Sequence, residues 1–300
     1  GESILKDLLN ELKVEIEVED LLKKFWAQYL FSKWTFSFYK TKQLFLITPY
    51  TNFARVLAAK HLNIKVIELQ HGLISAKHNA YCPEKFHETQ FLPDKILTFG
   101  EKEMKILKET NYAKSESIVP IGSFYIDWLN RNQAIDKAAS EKIKCCFTAQ
   151  DLHLEPTISF LNKLVTEMPN IELTFVPRKL PIEEYYQKGL DSKILVNNSL
   201  DTYQTMVQSD FHLTMYSTCA TESLALGTPS LLINIEGLAE THFGELAKEN
   251  PFIEIIETAD DAIKAIQTLS NYKAEEVKQS ISFYFAANFK ENLTKALTFD

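Results

Sequence analysis

Short apolar runs recur along the chain, and between them lie longer stretches whose apolar residues fall three or four apart. The first spacing marks strands and the second amphipathic helices. Leu5 to Leu12 and Leu21 to Tyr29 have helical spacing, and Val14 to Val18, alternating with glutamates, predicts a short strand between them. Leu44 to Thr48, Phe53 to Leu62 and Ile64 to Leu69 then read as strand, helix, strand. A crossover of that length makes the two strands parallel. Lys95 to Phe99 and Ile118 to Ile121 predict two further strands, with a helix over Lys102 to Glu109 between them.

Ile126 to Ala139 reads as a helix that turns polar through Asn130, Arg131, Asn132 and Gln133, and the domain boundary is expected there, between about residues 128 and 141. The alternation then restarts. Strands are expected over Lys142 to Thr148, Ile171 to Val176, Ile194 to Val196, Phe211 to Thr214 and Ser230 to Asn234. Helices are expected over Glu155 to Glu167, Pro181 to Tyr186, Asp201 to Gln208 and Cys219 to Leu226, with two more over Asp260 to Ser270 and Glu275 to Tyr284. Gly227 and Pro229 stop the helix that begins at Cys219. The fold class is α/β. Two Rossmann-like domains, residues 1–135 and 136–300, are expected to face each other across a cleft.

In such sheets ligands bind beyond the carboxyl ends of the strands. In the first half those ends read Gln70-His71-Gly72, Phe99-Gly100-Glu101 and Ile121-Gly122-Ser123. Gly72 would permit a tight turn or a close backbone approach. His71 can donate, accept or carry charge near neutral pH, or simply cap its strand. In the second half a strand ends in Tyr216-Ser217-Thr218 and opens a helix. Ser217 and Thr218 are N-cap candidates, and free N–H groups there suit a phosphate. Glu222, one turn on, could accept from ribose hydroxyls or only complete a capping box. Arg178 and Lys179, after another strand, could neutralise a phosphate or be a solvated surface pair. Thr148 and Gln150 end the first strand of this half within reach of a base or phosphate.

Composition narrows the classes. With 300 residues, two domains are the natural expectation. A net charge of −8 and a pI near 5.5 argue against non-specific nucleic-acid binding. The cysteines, Cys82, Cys145, Cys146 and Cys219, show no CxxC spacing, which fits a reduced, cytoplasmic setting. No apolar run reaches the roughly 18 residues that span a bilayer, and no secretory signal opens the chain. The aromatic run from Phe25 to Tyr39 is either packed inside or a surface for a partner chain or a membrane-bound acceptor, which leaves open a peripheral contact with the inner face of the membrane.

The order of these pieces resembles a GT-B glycosyltransferase, the two-Rossmann class with its donor bound mainly by the C-terminal domain. More narrowly, ELQHG at Glu68 to Gly72 with His78 and Tyr81 beyond it, FGE at Phe99 to Glu101, VPRK at Val176 to Lys179 and YSTCATESLALGTPSLL from Tyr216 are similar to bacterial capsule and surface-polysaccharide transferases. The resemblance covers roughly residues 44 to 235. Relatives that use CMP-activated acidic sugars often carry a His-Pro pair before the basic residue, where this chain has Val176-Pro177.

The resemblance implies a nucleotide-sugar donor (CMP-, UDP- or GDP-linked), with its phosphate over Ser217, Thr218 and Arg178, Lys179 and Gln150 beside it, and Glu222 on the ribose. It implies a glycan or lipid-linked acceptor in the first domain near Gln70, Gly72, His78 and Tyr81. An inverting transfer needs a base, for which His71 ranks first, Glu101 second and Glu68 third. No DxD dyad or metal-ligand spacing is present, so neither a metal nor a cofactor is expected. The same scaffold also carries UDP-sugar 2-epimerases and polyol-phosphate transferases, and a non-catalytic assembly domain is a further alternative.

Overall fold

A computed structural model of the chain describes residues 2–11, 13, 17–72, 74–75, 78–82, 89–110, 112–132, 141–197 and 201–298. The chain divides into two units, Gly1–Ile121 with Asn292–Asp300, and Gly122–Glu291.

The first unit contains helices α1 (Glu2–Glu11) and α2 (Val18–Phe38), strand β1 (Gln43–Leu46), helix α3 (Phe53–His61), strands β2 (Lys65–Leu69) and β3 (Lys95–Thr98), helix α4 (Glu101–Lys108) and strand β4 (Ile118–Pro120). The strands form a parallel sheet in the order β1-β2-β3-β4, with Leu44 opposite Val66 and Ile67 opposite Lys95. Val66, Ile67, Ile96 and Leu97 are buried, as expected of parallel strands covered on both faces. The strand expected over Val14 to Val18 falls partly outside the described residues, and Val18 itself opens α2. No glycine or proline interrupts the sequence from there, and Glu19 and Asp20 sit in the first turn, so the helix runs on through the aromatic segment. Its inner face packs Phe25, Tyr29 and Phe36 against Ala54, Leu57 and Ala58 of α3. The Tyr29 hydroxyl and His61 Nδ1 hydrogen-bond at 2.7 Å.

The second unit begins with α5 (Phe124–Asn132) and continues β5 (Ile143–Thr148), α6 (Leu154–Glu167), β6 (Ile171–Val176), α7 (Ile182–Gln187), β7 (Leu195–Val196), α8 (Thr202–Gln208), β8 (Phe211–Thr214), α9 (Cys219–Ala225) and β9 (Ser230–Ile233). Helix α10 (Leu238–Glu249), strand β10 (Ile253–Ile256), α11 (Ala259–Leu269) and α12 (Ala274–Ser280) follow, and α13 (Phe289–Leu297) carries the chain back to the first unit. All six strands are parallel, in the order β10-β9-β8-β5-β6-β7. The chain therefore steps outward from β5 to β7, returns to the other side of β5 and steps outward again. That reversal creates a topological switch point between β5 and β8. Phe147, Phe175, Leu213 and Leu231, one from each of four strands, share one core with α6 and α11.

One expectation is corrected. The division falls at Ile121/Gly122, not between 128 and 141, because α5 packs on second-unit elements. Asn130 Nδ2 donates to the Ala225 carbonyl at 3.0 Å, and the Tyr125 and Tyr203 rings meet edge to face. Gly122 has φ +92°, and a Cβ there would run into the Ala286 carbonyl, so the turn into α5 requires glycine. The helix expected to reach Ala139 is described only to Asn132, and residues 133–140 lie outside the described residues. The segment after β9, unassigned from sequence, forms α10 and edge strand β10.

Candidate functional site

A cavity of about 230 Å³ opens in the second unit at the carboxyl ends of β5, β6 and β8, over the switch point. Thr148, Ala149 and Gln150 line it from β5, Val176, Pro177 and Arg178 from β6, Thr202 from the start of α8, and Ser217 and Cys219 from the turn after β8. Arg178 is exposed, and its guanidinium has no carboxylate partner among the described residues. A cation among hydroxyls at a strand end is an arrangement that binds oxyanions.

The loops that shape this cavity are tied to one another. Gln150 Oε1 accepts from the Tyr216 backbone N–H at 3.0 Å, joining the β5 and β8 ends. Asp151, at φ +57°, accepts from the Tyr185 hydroxyl at 2.6 Å and from the Lys179 N–H at 3.1 Å. It thereby fixes the loop that carries Arg178. Asp151 is a positioning residue that sequence reasoning left out, since nothing in its spacing separates it from a surface aspartate.

Beneath the floor, His212 of β8 has no exposed surface. Its Nε2 pairs with the Thr148 hydroxyl at 2.9 Å and its Nδ1 with the Ser230 hydroxyl at 2.8 Å, linking β5, β8 and β9. Burial lowers its pKa to about 3, so the ring is neutral.

Of the six residues expected on the donor, Gln150, Arg178 and Ser217 line the cavity; Lys179, Thr218 and Glu222 do not. Thr218 occupies the N-cap position of α9 without a side-chain cap bond, and Ser217 Oγ accepts from the Cys219 N–H at 3.3 Å instead. No capping box forms around Glu222. Its Oε1 accepts from the Tyr203 hydroxyl at 2.8 Å, and the Cys219 thiol also bonds to the carboxylate. Burial raises its pKa, which the Tyr203 bond partly offsets. Cys219 itself is pushed up to about 11 by burial and by Glu222. Thr202 and Cys219 are cavity residues that the sequence had not singled out for binding.

The first unit gathers its expected residues at the end of β2, but in two layers. Glu68 has no exposed surface and accepts from the Tyr81 hydroxyl at 2.6 Å and the Tyr112 hydroxyl at 3.1 Å. Burial raises its pKa to about 7 against the lowering effect of those bonds. A carboxyl so enclosed does not reach a substrate, so the place of Glu68 as a candidate base is corrected to a core anchor. Strand alternation turns it inward. Tyr81, expected on the acceptor, is likewise buried as its partner. Gln70 is buried, donates through Nε2 to the Gly72 carbonyl at 2.8 Å and accepts from the Phe99 N–H at 2.6 Å, so it holds the ends of β2 and β3 together.

The outer layer is His71, exposed, with half-buried His78 close enough to act on its charge. Desolvation first, and then His78, lowers the His71 pKa, which favours the neutral ring. The His78 ring lies between Tyr50 and Tyr81, with centroids at 5.8 and 4.8 Å, and its Nδ1 has no hydrogen-bond partner among the described residues. Gly72 is not in a left-handed conformation, and a Cβ there would meet nothing within 4 Å, so the fold itself does not demand glycine. Glu101 is exposed at the first turn of α4.

Each unit is a parallel α/β sheet of Rossmann type, and the two match the GT-B class of fold. Solved structures confirm the likeness of fold. The UDP-GlcNAc 2-epimerase from Neisseria meningitidis bound to UDP-GlcNAc is similar with a TM-score of 0.66 at 16% identity, covering 98% of this chain and 88% of that one. The S. aureus MnaA-UDP co-structure has a TM-score of 0.61 at 19% identity, covering 90% and 76%. A glycotransferase of kitacinnamycin has a TM-score of 0.54 at 13% identity, covering 85% and 76%. No protein-family model and no curated protein sequence matches the chain.

Proposed function

We propose that the chain is a nucleotide-sugar enzyme that binds a UDP-sugar through its second unit. The observation that carries this reading is the cavity at the β5/β8 switch point, where unpaired Arg178 stands among Thr148, Thr202 and Ser217. Similar structures bound to UDP or UDP-GlcNAc support it. Arg178 meets the phosphate charge, Ser217 donates to a phosphate oxygen, and Gln150 keeps the two loops in register.

For the reaction we take 2-epimerisation of the UDP-sugar first, because UDP-GlcNAc 2-epimerases recur among the similar structures. The C2 proton is removed as UDP leaves C1 with the C1–O electron pair, which forms a C1=C2 double bond. UDP then adds back to C1 as a proton is delivered to the opposite face of C2, with no net redox change. Glycosyl transfer to an acceptor is the second reading, favoured by the exposed, neutral His71 beside the open space at Gly72. There His71 takes the acceptor hydroxyl proton, the oxygen bonds to C1, and UDP leaves with the C1–O electron pair.

Incubation with UDP-GlcNAc in D₂O, followed by proton NMR, separates the two. Epimerisation yields a second UDP-sugar with deuterium at C2 and no acceptor present. Transfer leaves the sugar nucleotide unchanged until a glycan or lipid-linked acceptor is added, and then releases UDP. Arg178→Ala should weaken UDP binding by roughly ten- to a hundredfold, the range for a charge-assisted pair. Failure of UDP to raise the melting temperature at millimolar concentration would remove the whole reading.

A further inference from the structure

Helix α2 is apolar on two faces, and only one of them is covered. The inner face packs on α3. On the outer face Trp26, Leu30, Phe31, Trp34 and Phe38 are between 53% and 66% exposed. Three of them pack on one another, with Trp34 stacked on Phe38 at 5.6 Å and Phe31 tilted against Trp34 at 6.2 Å. A helix that is apolar all round is normally covered all round, and a contiguous exposed patch marks a contact surface.

The charge around this patch says what covers it. From Leu21 to Ile67 the sequence has eight lysines and arginines and no aspartate or glutamate, in a chain whose net charge is −8. Lys23 pairs with Glu19 and Lys60 with Asp94. Lys24, Lys33, Lys40 and Lys42 have no carboxylate partner among the described residues. Lys33 lies over the Tyr29 ring. The two carboxylates of α2, Glu19 and Asp20, are confined to its first turn. A second copy of the chain would bring the same cations onto this face, and like charges would oppose the pairing. Tryptophan and phenylalanine with flanking lysines on long aliphatic stems are the composition of a helix lying in a lipid interface. The helix does not span, since no helix of the described residues is long and apolar enough to cross a membrane.

We propose that the outer face of α2 seats on an anionic lipid bilayer, with the aromatic side chains at the headgroup boundary and the lysines on lipid phosphates. This surface is independent of the nucleotide cavity and of the reaction assigned to it.

The test is co-sedimentation of the full chain with vesicles of phosphatidylcholine alone and of phosphatidylcholine with about 30% phosphatidylglycerol. Binding to the anionic vesicles should be at least about tenfold tighter than to the neutral ones and should weaken as salt is raised. In a Trp128→Phe background, emission from Trp26 and Trp34 should shift to the blue on binding. Phe31→Ser with Trp34→Ser should weaken binding at least about tenfold without moving the melting temperature, because both side chains are exposed. Lys24→Gln with Lys33→Gln and Lys40→Gln should remove the preference for anionic lipid. Three results overturn the proposal: no sedimentation with either vesicle, binding that neither set of substitutions changes, or a dimer in light scattering that the Phe31/Trp34 substitutions dissociate.

Discussion

Strand β2 of the first unit and strand β8 of the second each carry a titratable side chain with no exposed surface, Glu68 and His212. Burial disfavours the charged form of both, which raises the acid to about 7 and lowers the histidine to about 3. Their partners differ. His212 is held by two hydroxyls that come from neighbouring strands of its own sheet, Thr148 and Ser230. Glu68 is held by tyrosines from connecting segments, Tyr81 and Tyr112. The sheets differ as well. The second reverses its strand order at β5/β8 and has its cavity there, whereas the described strands of the first run in sequence order without a reversal. One unit thus has a formed pocket on a fixed floor. The other has an exposed histidine whose surroundings depend on its loops.

The largest expected effect breaks the comparison at the level of chemistry. If His71 acts as the base and the second unit holds the nucleotide, His71→Ala should lower turnover by roughly 10²–10⁴ while the affinity for UDP stays within about twofold. Calorimetry with UDP beside a turnover assay reads both quantities. A parallel loss of UDP affinity would show that the division of labour between the units is wrong.

Next in size is the effect of removing the floor of the second unit. His212→Leu leaves the Thr148 and Ser230 hydroxyls without their buried partner and should cost roughly 2–4 kcal/mol in urea unfolding. The same variant should change the response to acid. Between pH 6.5 and about 3 the unfolded chain binds a proton on His212 that the native chain refuses, so stability falls as pH drops through that window. At pH 5 the loss is about 2 kcal/mol. The variant, lacking the imidazole, should lose that part of the acid sensitivity, and an unchanged slope would exclude His212 as its source.

Glu68 works in the opposite direction. Its native pKa near 7 lies above the ordinary value of 4.5, so between those values the folded chain keeps a proton that the unfolded chain has released. Stability from this group is therefore full below 4.5 and is lost as pH rises through about 7, a loss of roughly 3 kcal/mol by pH 8. Glu68→Gln should be more stable than the parent at pH 8 and little changed at pH 5. Glu103, also buried and raised to about 7, will preserve part of the slope. Hydrogen exchange of the β2 and β8 segments, corrected for intrinsic rates, should show β2 loosening towards alkaline pH and β8 towards acid.

Much of this fold was legible because strand and helix periods are strong signals. Every strand expected with a four-residue or longer apolar run, from Leu44 to Ser230, is present within a residue or two. The failures are local and physical. Edge strand β10 (Ile253–Ile256) is a short run interrupted by exposed Glu254, and helix α10 carries its apolar residues on a narrow face. The domain boundary was misplaced because polar residues on α5 suggested a linker, while Tyr125, Ile126 and Leu129 anchor the helix to its unit. Of the cavity lining, Gln150, Arg178 and Ser217 were readable from their places at strand ends. The inward turn of Glu68 was foreshadowed by strand alternation, but its tyrosine partners were not readable, because they lie 13 and 44 residues away in the chain.

Glu222 offers the finest test of the contrast, because it behaves in the second unit as Glu68 does in the first. It too is an acid raised by burial and partly restored by a tyrosine hydroxyl. The difference is that Tyr203 occupies one carboxylate oxygen from α8, beside cavity residue Thr202, and leaves the group at the edge of the cavity. Tyr203→Phe removes that donor without changing the ring, so Glu222 should rise further in pKa and stability should fall by about 1 kcal/mol. If Glu222 takes a ribose hydroxyl, the loss of its fixed orientation should weaken UDP binding by about two- to fivefold and leave 2′-deoxy-UDP almost unaffected. Equal weakening of both ligands would place Glu222 with Glu68, as a buried acid that holds its unit together and does not touch the ligand.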